Sequence, residues 1–97
     1  MDTTDFFWQE ETAEGTRIGL NDAGRQVLGK VKFVSLPETD TKVEQGKHLL
    51  DVEAEKTVLD IDSPLSGQIV ARNEEVEDNP DYLDLADHAK NWLFLIK

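Results

Sequence analysis

VEAEKTVLDIDSPLSG, residues 52–67, sets a single lysine, Lys56, at the junction of two short alternating runs. Ahead of it, Leu50, Val52 and Ala54 share one face of an extended segment; behind it, Leu59 and Ile61 share one. Its flanks are acidic, with Glu53 and Glu55 before the lysine and Asp60 and Asp62 after it. Two alternating runs that meet with so short an interval read as paired strands, residues 48–54 and 57–63. Gly46 lies ten positions before Lys56 and Gly67 eleven after, each at a turn. One turn is Gln45-Gly46; the other follows Ser63-Pro64 and closes at Ser66-Gly67. Lys56 is therefore expected at the hairpin tip, farthest from both glycine turns, where another protein's active site can reach it.

The same period of two recurs outward from this hairpin. Residues 16–20, 30–36 and 68–72 read as strands, and NWLFLIK at residues 91–97 closes the chain as another, with Trp92, Phe94 and Ile96 on one face. Residues 21–29, NDAGRQVLG, read as a short helix that Asn21 caps and Gly29 ends. Residues 79–90 open on Asn79 as a cap with Pro80 in the first turn, enough for one or two helical turns. Strands this short, with a turn every eight to twelve residues, predict an all-β sandwich or barrel with short peripheral helices. A chain of 97 residues builds only one core. The expectation is a single domain over 1–97, an acidic N-terminal segment at 1–15 leading into a core at 16–97.

Composition narrows the function. A net charge of −11 opposes nucleic-acid binding, because a polyanion is repelled. The absence of cysteine removes disulfides, thiolate zinc sites and thiol nucleophiles. MDTTDFFWQEE lacks the basic start and apolar run of a secretory signal, and no apolar stretch reaches membrane-spanning length, so a cytoplasmic monomer is expected. His48 and His88 lie forty positions apart with no histidine or cysteine near either. EEVEDNPD, residues 74–81, lacks the alternating aspartates and central glycine of a calcium loop, so no metal site is expected. No glycine-rich phosphate loop and no nucleophile-plus-base pattern is present, which argues against an independent enzyme.

Val52, Glu53, Lys56, Asp60, Ile61, Pro64, Ser66 and Gly67 together resemble the modification site of lipoyl and biotinyl carrier domains, and most closely the glycine cleavage system H proteins. IGLNDAGRQVLGKVKFVSLPE (residues 18–38) is similar to that family's strand, short helix and Leu-Pro-Glu turn, and NWLFLIK to its Gly-Trp-Leu strand. The resemblance covers about residues 16–97. It implies a barrel-sandwich hybrid, the lipoyl-domain fold, with lipoate in amide linkage to Lys56. Glu53, Glu55, Thr57 and Asp60 would then be recognition or docking residues, and Gly46, Pro64 and Gly67 would shape the turns. Biotinyl carriers place methionine on both sides of their lysine, whereas Glu55 and Thr57 stand here.

The resemblance further implies a non-catalytic swinging arm that carries an aminomethyl group and reducing equivalents. Its partners would be a lipoate ligase or lipoyl transferase, glycine decarboxylase, aminomethyltransferase and dihydrolipoyl dehydrogenase. The chain departs from the family in three places: DFFWQEE keeps Trp8 but not the His-Glu before it, Glu55 and Thr57 replace small apolar neighbours of the lysine, and Lys97 ends the sequence before a C-terminal helix. These departures are similar to shorter bacterial H-like proteins, which pass lipoate to 2-oxoacid dehydrogenase complexes or belong to stress-linked operons. The rival of another class is an unmodified interaction domain.

Overall fold

The computed structural model describes residues 2–97. Two antiparallel sheets enclose one core. The larger holds β1 (Phe7–Thr12), β2 (Gly15–Leu20), β8 (Trp92–Ile96), β7 (Gly67–Arg72) and β4 (Lys42–Val43), in that spatial order. The smaller holds β3 (Val31–Ser35), β5 (His48–Ala54) and β6 (Val58–Asp62), also in that order. Between the sheets, Ile18, Leu20, Ile69, Phe94 and Ile96 meet Val34, Leu50, Val52 and Ile61, all essentially without solvent contact. Apart from Val34, alternation selects these residues, since successive strand side chains point to opposite faces.

The helix α1 (Asp22–Leu28) forms where its caps predict it. Asn21 Oδ1 accepts from the Gly24 N–H, and Gly29, at φ +70°, receives the chain in a conformation that side chains disfavour. Leu28 anchors this helix in the core. Residues 79–90 hold the expected helical turns, and Asn79 stands just before the turn that Pro80 opens. Asn79 makes no side-chain cap; it ends a short helix, α2 (Glu75–Asp78), and its Nδ2 donates back to the Glu75 carbonyl at 3.1 Å. The turns that follow are a 3-10 segment, Pro80–Asp84, and α3 (His88–Asn91).

The N-terminal stretch is more deeply built in than its acidity suggests. A 3-10 turn, Thr3–Phe6, buries Phe6, and β1 buries Phe7 while pairing along β2. Asn21 Nδ2 donates to the carbonyls of Asp5 and Phe7, and the Asp62 N–H donates to Thr3 Oγ1 at 2.8 Å. Acidic composition described the exposed positions here, while two phenylalanines decided the packing.

Candidate functional site

β5 and β6 pair from His48 opposite Asp62 up to Glu53 opposite Val58, leaving Glu55, Lys56 and Thr57 as the turn. Within it the Ala54 N–H donates to the Thr57 carbonyl at 3.0 Å. Two further bonds come from outside the hairpin: Glu55 N–H to the Lys30 carbonyl at 2.8 Å, and Lys56 N–H to the Leu28 carbonyl at 3.1 Å. The tip thus leans on the C-terminal end of α1 and the residues just after it. Satisfied backbone groups at a tip limit its motion, because each must lose a partner before the turn can move.

The side chain of Lys56 is exposed but not unsupported. Its Nζ donates to the Gln26 carbonyl at 3.1 Å, an acceptor left free by the end of α1. Its stem lies over Gly29, where a Cβ would come within 3.1 Å of Cγ and 3.3 Å of Cδ and Cε. Glycine at this position serves both the positive φ and the passage of the lysine. The amine touches one backbone carbonyl and open solvent, so acylation would remove one charge-assisted bond and bury nothing. An amide on Nζ keeps one N–H, and the site fits such a group.

The far end of the hairpin is closed at the glycine turns. Gly46, at φ +82°, donates its N–H to the Ser63 carbonyl at 2.9 Å, and Pro64 is buried beside it. Gly67 opens β7 against Lys97; a Cβ there would stand 2.8 Å from both Ile96 Cγ2 and the Lys97 carbonyl oxygen. Glu53, Glu55 and Asp60 are exposed, while Thr57 is half-buried.

The outer face of the small sheet carries features the sequence did not disclose. Strict alternation from Val31 would turn Phe33 inward, but a register shift between these residues puts Val34 in the core and leaves Phe33 59% exposed. Burying a phenylalanine is worth about 2 kcal/mol, much of which this bulge forgoes. A second shift between His48 and Leu50 brings His48 to the side of Asp51, with His48 Nε2 and Asp51 Oδ1 at 2.8 Å. Asp51 sits directly opposite Asp60, so two carboxylates face each other across the strands. The hydrogen bond with Asp51 raises the Asp60 carboxyl above the usual range, and the His48 bond, then that of Asp60, lowers Asp51. One atom from each of His48, Asp51 and Asp60 lies within 4.8 Å of the others, so these three could meet a metal ion, although no sequence spacing signals it. All three are exposed.

His88 stacks on Trp8 with ring centroids 3.8 Å apart and sits 3.6 Å from Glu10 Oε2. The Trp8 Nε1–H donates to the buried Asn91 Oδ1 at 3.0 Å.

The family model for glycine cleavage H-protein matches residues 2–97. The chain belongs to the glycine cleavage H-protein family. Among H proteins, that of Halalkalibacterium halodurans is 36% identical over 90 residues, covering 93% of this chain and 70% of that protein. The Klebsiella pneumoniae H protein is 38% identical over 91 residues, covering 93% of this chain and 70% of its own. The crystal structure of a glycine cleavage system H protein from Mycobacterium marinum superposes with a TM-score of 0.84 at 33% identity, over 98% of this chain and 80% of the other. Two antiparallel sheets with short helices are thus the barrel-sandwich, lipoyl-domain fold that the hairpin motif led us to expect. The match also extends through residues 2–15, in accord with the strand β1. Among the described residues no helix is long and apolar enough to cross a membrane.

Proposed function

We infer that this chain is a lipoyl carrier of the H-protein type, a non-catalytic subunit of the glycine cleavage system, and we propose Lys56 as its attachment point. The observation that carries the site is the braced tip: an exposed amine on a turn held by α1 and Lys30 rather than by its own strands alone. When bound, lipoate would supply a cyclic disulfide able to take up an aminomethyl group and two electrons. The chain's own part is presentation. It holds the backbone of Lys56 fixed, offers the Gln26 carbonyl to an N–H on Nζ, and leaves the stem a groove over Gly29. Glu53, Glu55, Thr57 and Asp60 surround the tip as recognition residues, and Gly46, Pro64 and Gly67 set the turns at its far end.

The enzymes served would be glycine decarboxylase, aminomethyltransferase and dihydrolipoyl dehydrogenase, after loading by a lipoate ligase or lipoyl transferase. A tether raises the local concentration of the carried group at each of these in turn. The test is intact mass and peptide mapping after expression with lipoate and a competent ligase. A single lipoyl adduct on the peptide holding Lys56, absent from Lys56→Arg, is the expected result. An unmodified mass, while a control lipoyl domain in the same cells is loaded, would overturn the assignment.

A further inference from the structure

Four large apolar side chains are exposed among the described residues: Phe33 at 59%, Val58 at 67%, Val70 at 39% and Leu85 at 42%. The two most exposed lie in one row. Phe33 on β3 pairs with Glu53 on β5, and Glu53 pairs with Val58 on β6, so the three cross the small sheet side by side on its outer face. With strands roughly 4.8 Å apart, Phe33 and Val58 stand about 10 Å from each other with a carboxylate between them. Val58 is the second residue after Lys56, and the register shift next to Phe33 is what turns that ring outward. The next row on the same face is Ser35, Asp51 and Asp60, and Glu55 stands at the tip.

We propose that the Phe33–Glu53–Val58 row is the docking surface for the enzyme that acylates Lys56. The inference rests on the assignment of Lys56 made above. The reach of the lysine selects the occupant. An enzyme that acylates Nζ must bring its acyl donor to the end of a four-carbon stem, and so must close onto the residues beside the tip. An enzyme served later is reached by the far end of a longer tether and need not close on them. Charge selects the partner's chemistry: two apolar anchors set among Glu53, Glu55, Asp51 and Asp60 match two apolar sockets rimmed by lysine or arginine. Apolar anchors at the centre of such a contact hold the complex, and the acids around them steer its approach.

The experiment compares wild-type chain, Phe33→Thr/Val58→Thr, Val58→Thr alone and Glu53→Gln as substrates of a lipoate ligase that modifies a control lipoyl domain. Attachment is followed by intact mass, and affinity of the unmodified chain for the ligase by calorimetry. Threonine suits an exposed strand position, and matching far-UV spectra and melting curves would verify that each variant is folded. The double variant is expected to lose about tenfold or more in kcat/KM, chiefly through KM, with a parallel loss of binding; Val58→Thr loses severalfold. Glu53→Gln is expected to slow association about twofold and to flatten its salt dependence. Attachment and binding by the folded double variant that match wild type would overturn the inference while leaving Lys56 as the site. So would sedimentation showing a wild-type dimer that the double variant abolishes with attachment unchanged, since the face would then belong to a second copy. A wild-type chain that takes up no lipoyl group removes the assignment of Lys56 and this inference with it.

Discussion

The hairpins β1–β2 and β5–β6 use the same pairing and solve opposite problems. In β1–β2 the exposed charges are matched across the strands: Arg17 meets Glu10 at 2.7 Å, and Thr16 donates to Glu11 at 2.8 Å. Its turn closes on itself, with Thr12 Oγ1 donating to the Gly15 carbonyl at 2.8 Å and accepting from the Glu14 N–H. In β5–β6 the exposed positions oppose two aspartates, and the turn is held by backbone carbonyls of Leu28 and Lys30 from outside the hairpin. Facing like charges weaken a strand pair, whereas facing opposite charges strengthen it. The β1–β2 hairpin ties its turn from within. The hairpin that presents Lys56 leaves two carboxylates facing each other across its strands and draws its rigidity from the rest of the molecule.

The largest test of that contrast is Leu28→Ala. Leu28 is fully buried, and its carbonyl receives the Lys56 N–H. Truncation is expected to cost about 2–5 kcal/mol in urea unfolding, and to speed hydrogen exchange at Lys56 far more than at Glu10. Equal acceleration in both hairpins would mean that the helix braces the sheet as a whole and not the tip.

Gly29→Ala comes next. Its φ of +70° and the Lys56 Cγ 3.1 Å from a new Cβ should together cost about 1–3 kcal/mol and displace the lysine stem from its seat. Lys56 should then react faster with an amine-acylating reagent, read by peptide mass. Thr12→Ala is the control, expected to cost under about 1 kcal/mol and to leave Lys56 labelling as it was. Identical labelling of Lys56 in Gly29→Ala and wild type would deny the seat any role.

The smallest effect is expected from Asp60→Asn. Raised by its bond to Asp51, the Asp60 carboxyl holds its proton more readily in the folded chain than in the unfolded one. Its contribution therefore favours folding in acid and is lost as pH rises through the raised value. An asparagine in its place would spare the hairpin that opposed charge, so the variant should melt higher than wild type near neutrality. The advantage should fade as pH falls and wild-type Asp60 takes up its proton. A gain that is the same at every pH would point to a cause other than the carboxylate pair.

Much of this was legible in the sequence. The alternation of Leu50, Val52 and Ala54 with Leu59 and Ile61 specified the central hairpin, because period-two burial admits one register. Asn21 and Gly29 marked the bounds of α1, because a side-chain cap and a positive φ are local requirements. Three things escaped, each for its own reason. Phe33 points outward and His48 joins Asp51 because bulges shift the alternation, and nothing in the flanking residues encodes a bulge. Asn79 does precede the Pro80–Asp84 turn as its proline signals, but its side chain bonds back to α2, a helix that no side-chain cap marks. The acidic residues near the N-terminus concealed a strand, since composition averages over the inward-facing Phe6 and Phe7.

The sequence by itself determined the β-rich class, the hairpin and the place of Lys56 at its tip, for these follow from period and turn chemistry within a few residues. Only the tertiary structure decided what the tip rests on and which side Phe33 faces. Those depend on contacts between residues tens of positions apart, and such contacts exist only once both sheets have closed on the core.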